Sequence, residues 1–144
     1  MKLVLAACAV ALAAAAAAGP HDASIPAAVP TVGSEIHRGA AAAFVCYLRF
    51  SGLRQAADFT GCVQEAHTRN QQRVGEGYEA FDAGLYFRAA QFIRIKVEVL
   101  QQGDRGSDTA DLLSALDALA ADSHAAQTRL DISDSEVADV LAGQ

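Results

Sequence analysis

From Glu35 to Gln144 the chain contains no proline, and all three prolines (Pro20, Pro26 and Pro30) precede that stretch. Proline lacks the backbone donor a helix interior uses, and its ring clashes with the preceding turn. A long proline-free stretch rich in Ala, Leu, Gln and Arg is free to be helical throughout. The expectation is an all-α domain over 35–144, built of four to six helices in antiparallel hairpins. Residues 20–34 (PHDASIPAAVPTVGS) hold every proline and little periodicity, and they read as an extended arm.

Glycines divide the domain. Helices are expected at about 36–50, 53–69, 71–83 and 86–101, broken at Ser51-Gly52 and at Gly84. After the Gly103–Gly106 loop, Ser107 can cap a helix carrying Leu112, Leu113, Leu116 and Leu119. Ser133-Asp134-Ser135-Glu136 is a capping box, with Ile132 placed to staple onto Val137. One segment competes with this reading. Ile93 to Val99 alternates β-branched and charged residues, which is a strand period, so an α+β fold with a strand at 93–99 is the minor alternative. It has no convincing second strand to pair with, short of a homodimer edge.

The first 19 residues are set aside before fold reasoning. Lys2 followed by an apolar run, with small residues ahead of Gly19-Pro20, has the form of a secretory signal peptide. The alternatives are an N-terminal anchor, for which the run is short and Ala-rich, and lipidation at Cys8 after Leu5-Ala6-Ala7. The expected location is secreted, extracellular or periplasmic, with no stable membrane insertion after cleavage. Cleavage would leave Cys46 and Cys62, and two cysteines in a small secreted domain read as one disulfide. The midpoint between them falls at Arg54, in the expected turn of the first hairpin, where antiparallel helices bring equidistant residues together.

Gly52-Leu53 followed by Ala56-Ala57 and Phe59 is echoed by Gly84-Leu85 followed by Ala89-Ala90 and Phe92. The segment from Gly77 through Gly84-Leu85-Tyr86-Phe87-Arg88-Ala89 resembles a tetratricopeptide repeat, a helix–turn–helix unit of about 34 residues. The resemblance implies stacked hairpins, with Gly77 and Ala89 letting paired helices approach and Tyr86 filling the gap. Trp and Pro markers are missing, and Lys96 stands where a small apolar residue is usual. The pattern Cys46-Tyr47-x-x-Phe50 with Phe59-x-x-Cys62 is similar to helical secreted insect proteins of the tsetse EP type, which carry more cysteines. No residue roles are carried over from that second family.

Chemistry-bearing patterns are sparse. The four histidines (His21, His37, His67 and His124) are scattered, Cys62 and His67 do not share a helix face, and no metal or haem motif appears, so no cofactor and no metal are expected. A Cys–His nucleophile pair using His67 competes with the disulfide. Gly75-Glu76-Gly77 lacks the other parts of a phosphate loop. Glu76, Glu79 and Asp82 read as a solvated helix face.

Two distributions say more. All nine aromatics lie between Phe44 and Phe92, so the core or a ligand groove is built there, with Tyr47, Phe59, Tyr78, Phe81, Tyr86 and Phe92 as candidate groove residues. Residues 20–103 balance eight basic against eight acidic residues, whereas 104–144 hold two basic and nine acidic. The net charge of −6 disfavours nucleic acid, and the acidic third suits a basic protein partner. The expected function is a secreted helical binding protein without catalytic activity. The alternative is a carrier of a small apolar ligand in an aromatic-rich pocket. Oligomeric state is left open.

Overall fold

The computed structural model describes residues 31–72, 77–103 and 106–143, without the side chains of Ser107 and Asp108. The described residues form five α-helices and no strand: α1 Val32–Arg49, α2 Ala56–Gln71, α3 Tyr78–Gln102, α4 Gly106–Leu130 and α5 Asp134–Ala142. The leader, residues 20–30 of the arm and Glu76 lie outside the described residues.

Helix α1 begins earlier than the proline pattern suggests, taking residues 32–34 from the expected arm. Thr31 caps it: its hydroxyl accepts from the Ser34 N–H at 3.0 Å, and the Ser34 hydroxyl accepts from the Thr31 N–H at 2.9 Å. The α1–α2 hairpin forms as its glycine and cysteines imply, although α2 starts at Ala56 rather than 53. Cys46 and Cys62 are joined with their Cα atoms 5.7 Å apart, matching the expected disulfide.

Helix α3 corrects the largest error of the sequence reading. Residues 78–102 are one helix about 37 Å long at the usual rise per residue. Gly84 does not break it. A Cβ on Gly84 would overlap the Ile36 carbonyl, and a Cβ on Gly39 would overlap the Phe81 carbonyl. Each glycine is therefore the place where α1 and α3 touch backbone to backbone. The segment that resembled a tetratricopeptide unit lies inside this helix, so it has no turn where that unit needs one. Ile93 to Val99 is helical as well, which disposes of the strand alternative.

Contacts fix the arrangement. Ile36 meets Gly84, Phe44 meets Phe92, and Phe50 meets Lys96, so α1 and α3 run parallel. Glu79 meets Arg129 at 3.4 Å while Leu100 and Leu112 share the core, so α4 runs antiparallel to α3. Helix α3 lies between α1 and α4 and contributes the most buried residues. Helix α2 packs over one side of the α1–α3 pair, inserting Phe59, Cys62, Val63 and Ala66 against Ala43, Cys46, Leu85, Ala89 and Ile93.

The α4–α5 turn places Asp131 in the left-handed region at φ 56°. The Ile132 N–H donates to the Gln127 carbonyl and the Asp131 N–H to the Thr128 carbonyl, satisfying the last turn of α4. The Ser133–Glu136 capping box then starts α5, and Ile132 and Val137 join Ile36, Ala80 and Leu141 in a second small core.

Candidate functional site

The six aromatic candidates do not converge on one groove. Phe59, Phe81 and Tyr86 are buried in the main core. Tyr78 is exposed at the start of α3, its hydroxyl donating to Glu79 at 3.2 Å. Tyr47 and Phe92 do meet, stacked with ring centroids 4.3 Å apart, and Phe44 leans on Phe92 at 6.2 Å.

This trio marks a seam between α1 and α3. On α1, Phe44 and Cys46 are two residues apart and so about 200° apart around the helix. Cys46 faces α2, and Phe44 faces away from it. The outward stripe of α1 is His37, Ala41, Phe44 and Leu48, and that of α3 is Arg88, Phe92, Ile95 and Val99. Both stripes repeat at four, three and four residues, the spacing of a helix-packing seam. Four large apolar side chains stay exposed there: Phe44 at 49%, Leu48 at 61%, Ile95 at 48% and Val99 at 46%. At the lower end, a hollow of about 450 Å³ is lined by His37, Ala40, Ala41, Phe44, Arg88, Phe92 and Leu141 of α5.

The sequence carried a signal for this surface in the alternation of residues 93–99. On a helix, alternation sends apolar side chains to opposite sides. Ile93 and Val97 are buried, while Ile95 and Val99 are exposed on the side away from α2.

A second polar arrangement escaped the sequence reading. Asp82 was read as part of a solvated face, yet it is fully buried. The His67 Nδ1–H donates to Asp82 Oδ2 at 2.8 Å, and the Asn70 amide donates to Asp82 Oδ1 at 3.3 Å and to the Tyr78 carbonyl at 2.8 Å. Burial pushes the Asp82 carboxyl above the usual aspartate range, with His67 and Asn70 pulling back. Burial, with Asp82 and Asp122 nearby, also pushes the Tyr86 phenol up. The arrangement ties the end of α2 to α3. As chemistry it is an oriented imidazole: among the described residues no hydroxyl or thiol bonds to His67, and both cysteines are held in the disulfide.

Lys96 is the third such residue. It is buried, and its Nζ donates to the Phe50 carbonyl at 2.9 Å and the Gly52 carbonyl at 2.7 Å. The Phe50 carbonyl belongs to the cap of α1, where a cation also opposes the helix dipole, and the Gly52 carbonyl, in the loop before α2, also accepts from the Gln55 N–H. Burial pulls the amine below its ordinary range.

The side between α2 and α4 is open. A groove of about 420 Å³ is lined by Leu53, Ala56, Ala57, Thr60, Leu112 and Ala115 among others, and a hollow of about 370 Å³ continues it toward Tyr86 and Asp122. Among the described residues no group of His, Cys, Asp and Glu could hold a metal ion, and no helix is long and apolar enough to cross a membrane. Comparison with family models, with characterised proteins and with solved structures finds no match to this chain.

Proposed function

We propose that this protein is a secreted, non-catalytic helical module that binds a protein partner along the α1–α3 seam away from α2. One observation carries the reading: Phe44, Leu48, Ile95 and Val99, on the outward stripes of α1 and α3, are left in water, although the same two helices bury their other faces tightly. Exposed apolar surface of this kind marks an interaction site more often than it serves the fold. Two parallel helices also present a groove that accepts a third, the usual way an amphipathic helix is recognised.

Secretion rests on the leader pattern and on the Cys46–Cys62 bridge, which suits an oxidising compartment. The carrier alternative needs an enclosed apolar cavity, and the hollows between the described helices open to solvent. Binding rather than catalysis is favoured because, among the described residues, no hydroxyl or thiol is bonded to His67.

The test is a selection of helical peptides from a library on the wild-type protein, followed by fluorescence anisotropy on a Phe44→Glu/Leu48→Glu variant. The reading expects selected peptides to lose binding to the variant while its far-UV circular dichroism stays unchanged. Peptides that bind both proteins equally would overturn it.

A further inference from the structure

We infer that the occupant of the α1–α3 seam is an acidic amphipathic helix, an inference that rests on the docking surface proposed above. Charge is the first argument. Of the exposed or half-buried charged residues of α1 and α3, Arg88, Arg94 and Glu98 lie on the outward side, while Arg38 is paired with Glu35 at 2.8 Å beside α2 and Glu79 is paired with Arg129. Arg88 belongs to the seam stripe itself, and Arg94 adjoins Ile95. Helices α4 and α5 carry the opposite sign, with Asp111, Asp117, Asp122, Asp134, Glu136 and Asp139 against Arg129 among the described side chains. A basic-edged apolar strip selects an acidic partner and repels a basic one.

The second argument is the molecule's own use of the seam. Helix α5 is short and acidic, carrying Asp134, Glu136 and Asp139, and its Leu141 lines the lower hollow beside Phe44, Arg88 and Phe92. The chain therefore already seats an acidic helix at one end of the strip. That helix ends at Ala142, leaving Leu48, Ile95 and Val99 bare above it. An incoming helix with Leu, Ile or Val at heptad spacing and Glu or Asp at its edges would continue the same packing. Its acidic residues would face Arg88 and Arg94.

The experiment uses three synthetic helical peptides with one apolar face and Glu, Gln or Lys at the flanking positions. Affinity for the whole purified protein is read by fluorescence anisotropy at low and high salt. The Glu peptide is expected to bind about tenfold or more tighter than the Lys peptide, with the advantage shrinking as salt screens it. An Arg88→Glu/Arg94→Glu variant is expected to reverse the order. Equal binding of the Glu and Lys peptides, lost in Phe44→Glu/Leu48→Glu, would overturn the acidic occupant and leave the docking surface standing. Binding of all three peptides to that variant as well would remove the docking surface too. Parallel arms use anionic vesicles and sedimentation equilibrium. If the seam variant abolished vesicle binding or self-association while no peptide bound the wild type, the occupant would be a bilayer or a second copy, and the inference would fall.

Discussion

The α1–α3 pair has two seams, and they are treated differently. The seam under α2 is closed by Phe59, Val63 and Ala66, by the Cys46–Cys62 bridge, by Asp82 holding His67 and Asn70, and by Lys96 holding the loop before α2. The opposite seam has comparable apolar side chains and, among the described residues, no cover beyond Leu141 at its lower end. The same helices and the same parallel packing thus give one seam committed to the fold and one left available. Covalent and buried polar ties are concentrated where α2 must not leave. Among the described residues they are missing from the open seam.

If that division is correct, substitutions in the two seams should differ in kind. Phe59→Ala leaves a cavity in the closed seam and is expected to cost about 3–5 kcal/mol, read by urea unfolding. Removing the bridge with Cys46→Ala/Cys62→Ala is expected to cost about 3 kcal/mol, because the loop it closes spans 16 residues of the unfolded chain. A loss near zero would mean that packing alone holds α2.

The remaining effects are smaller and belong to the open side. Ser133→Ala removes the cap of α5 and is expected to cost about 1 kcal/mol, with faster amide exchange through 134–142. The contribution of Glu136, the other half of this capping box, should depend on pH. The Ser133 N–H holds the Glu136 carboxyl below the usual glutamate range. A carboxyl with a lowered folded pKa contributes stability above its unfolded pKa and loses it as pH falls through the folded one. The wild type and Glu136→Gln should therefore differ near neutrality and converge in acid, whereas Ser133→Ala keeps the donating backbone N–H. Leu48→Gln should change stability least, by less than about 0.5 kcal/mol, since its side chain lies in water. A large loss there would show that the open seam serves the fold.

The closed seam was the more legible of the two in sequence. The turn at Gly52 and the placement of Cys46 and Cys62 about it give the hairpin and its bridge, and the Ser133 box gives the start of α5. Gly84 misled because a glycine can end a helix or let one helix touch another, and only the partner backbone at Ile36 decides. Thr31 was hidden by the prolines before it, although its bond to Ser34 is local. Asp82 looked solvated, and the burial of Lys96 was not foreseen, because their partners are distant in sequence: His67 lies 15 residues from Asp82, and Phe50 lies 46 from Lys96. The open seam was present as the alternation of 93–99, whose outward half a strand reading and a buried-helix reading both leave unexplained.

The most direct test of the division is to titrate the isotopically labelled protein with the acidic helical peptide and map amide shifts by NMR. The account predicts changes clustered at His37, Ala41, Phe44, Leu48, Arg88, Phe92, Ile95 and Val99, with α2 little affected. Changes clustered instead along Ala57, Thr60 and Gly61 of α2 and Ala115 and Ala118 of α4 would contradict it, placing the working surface in the groove on the other side.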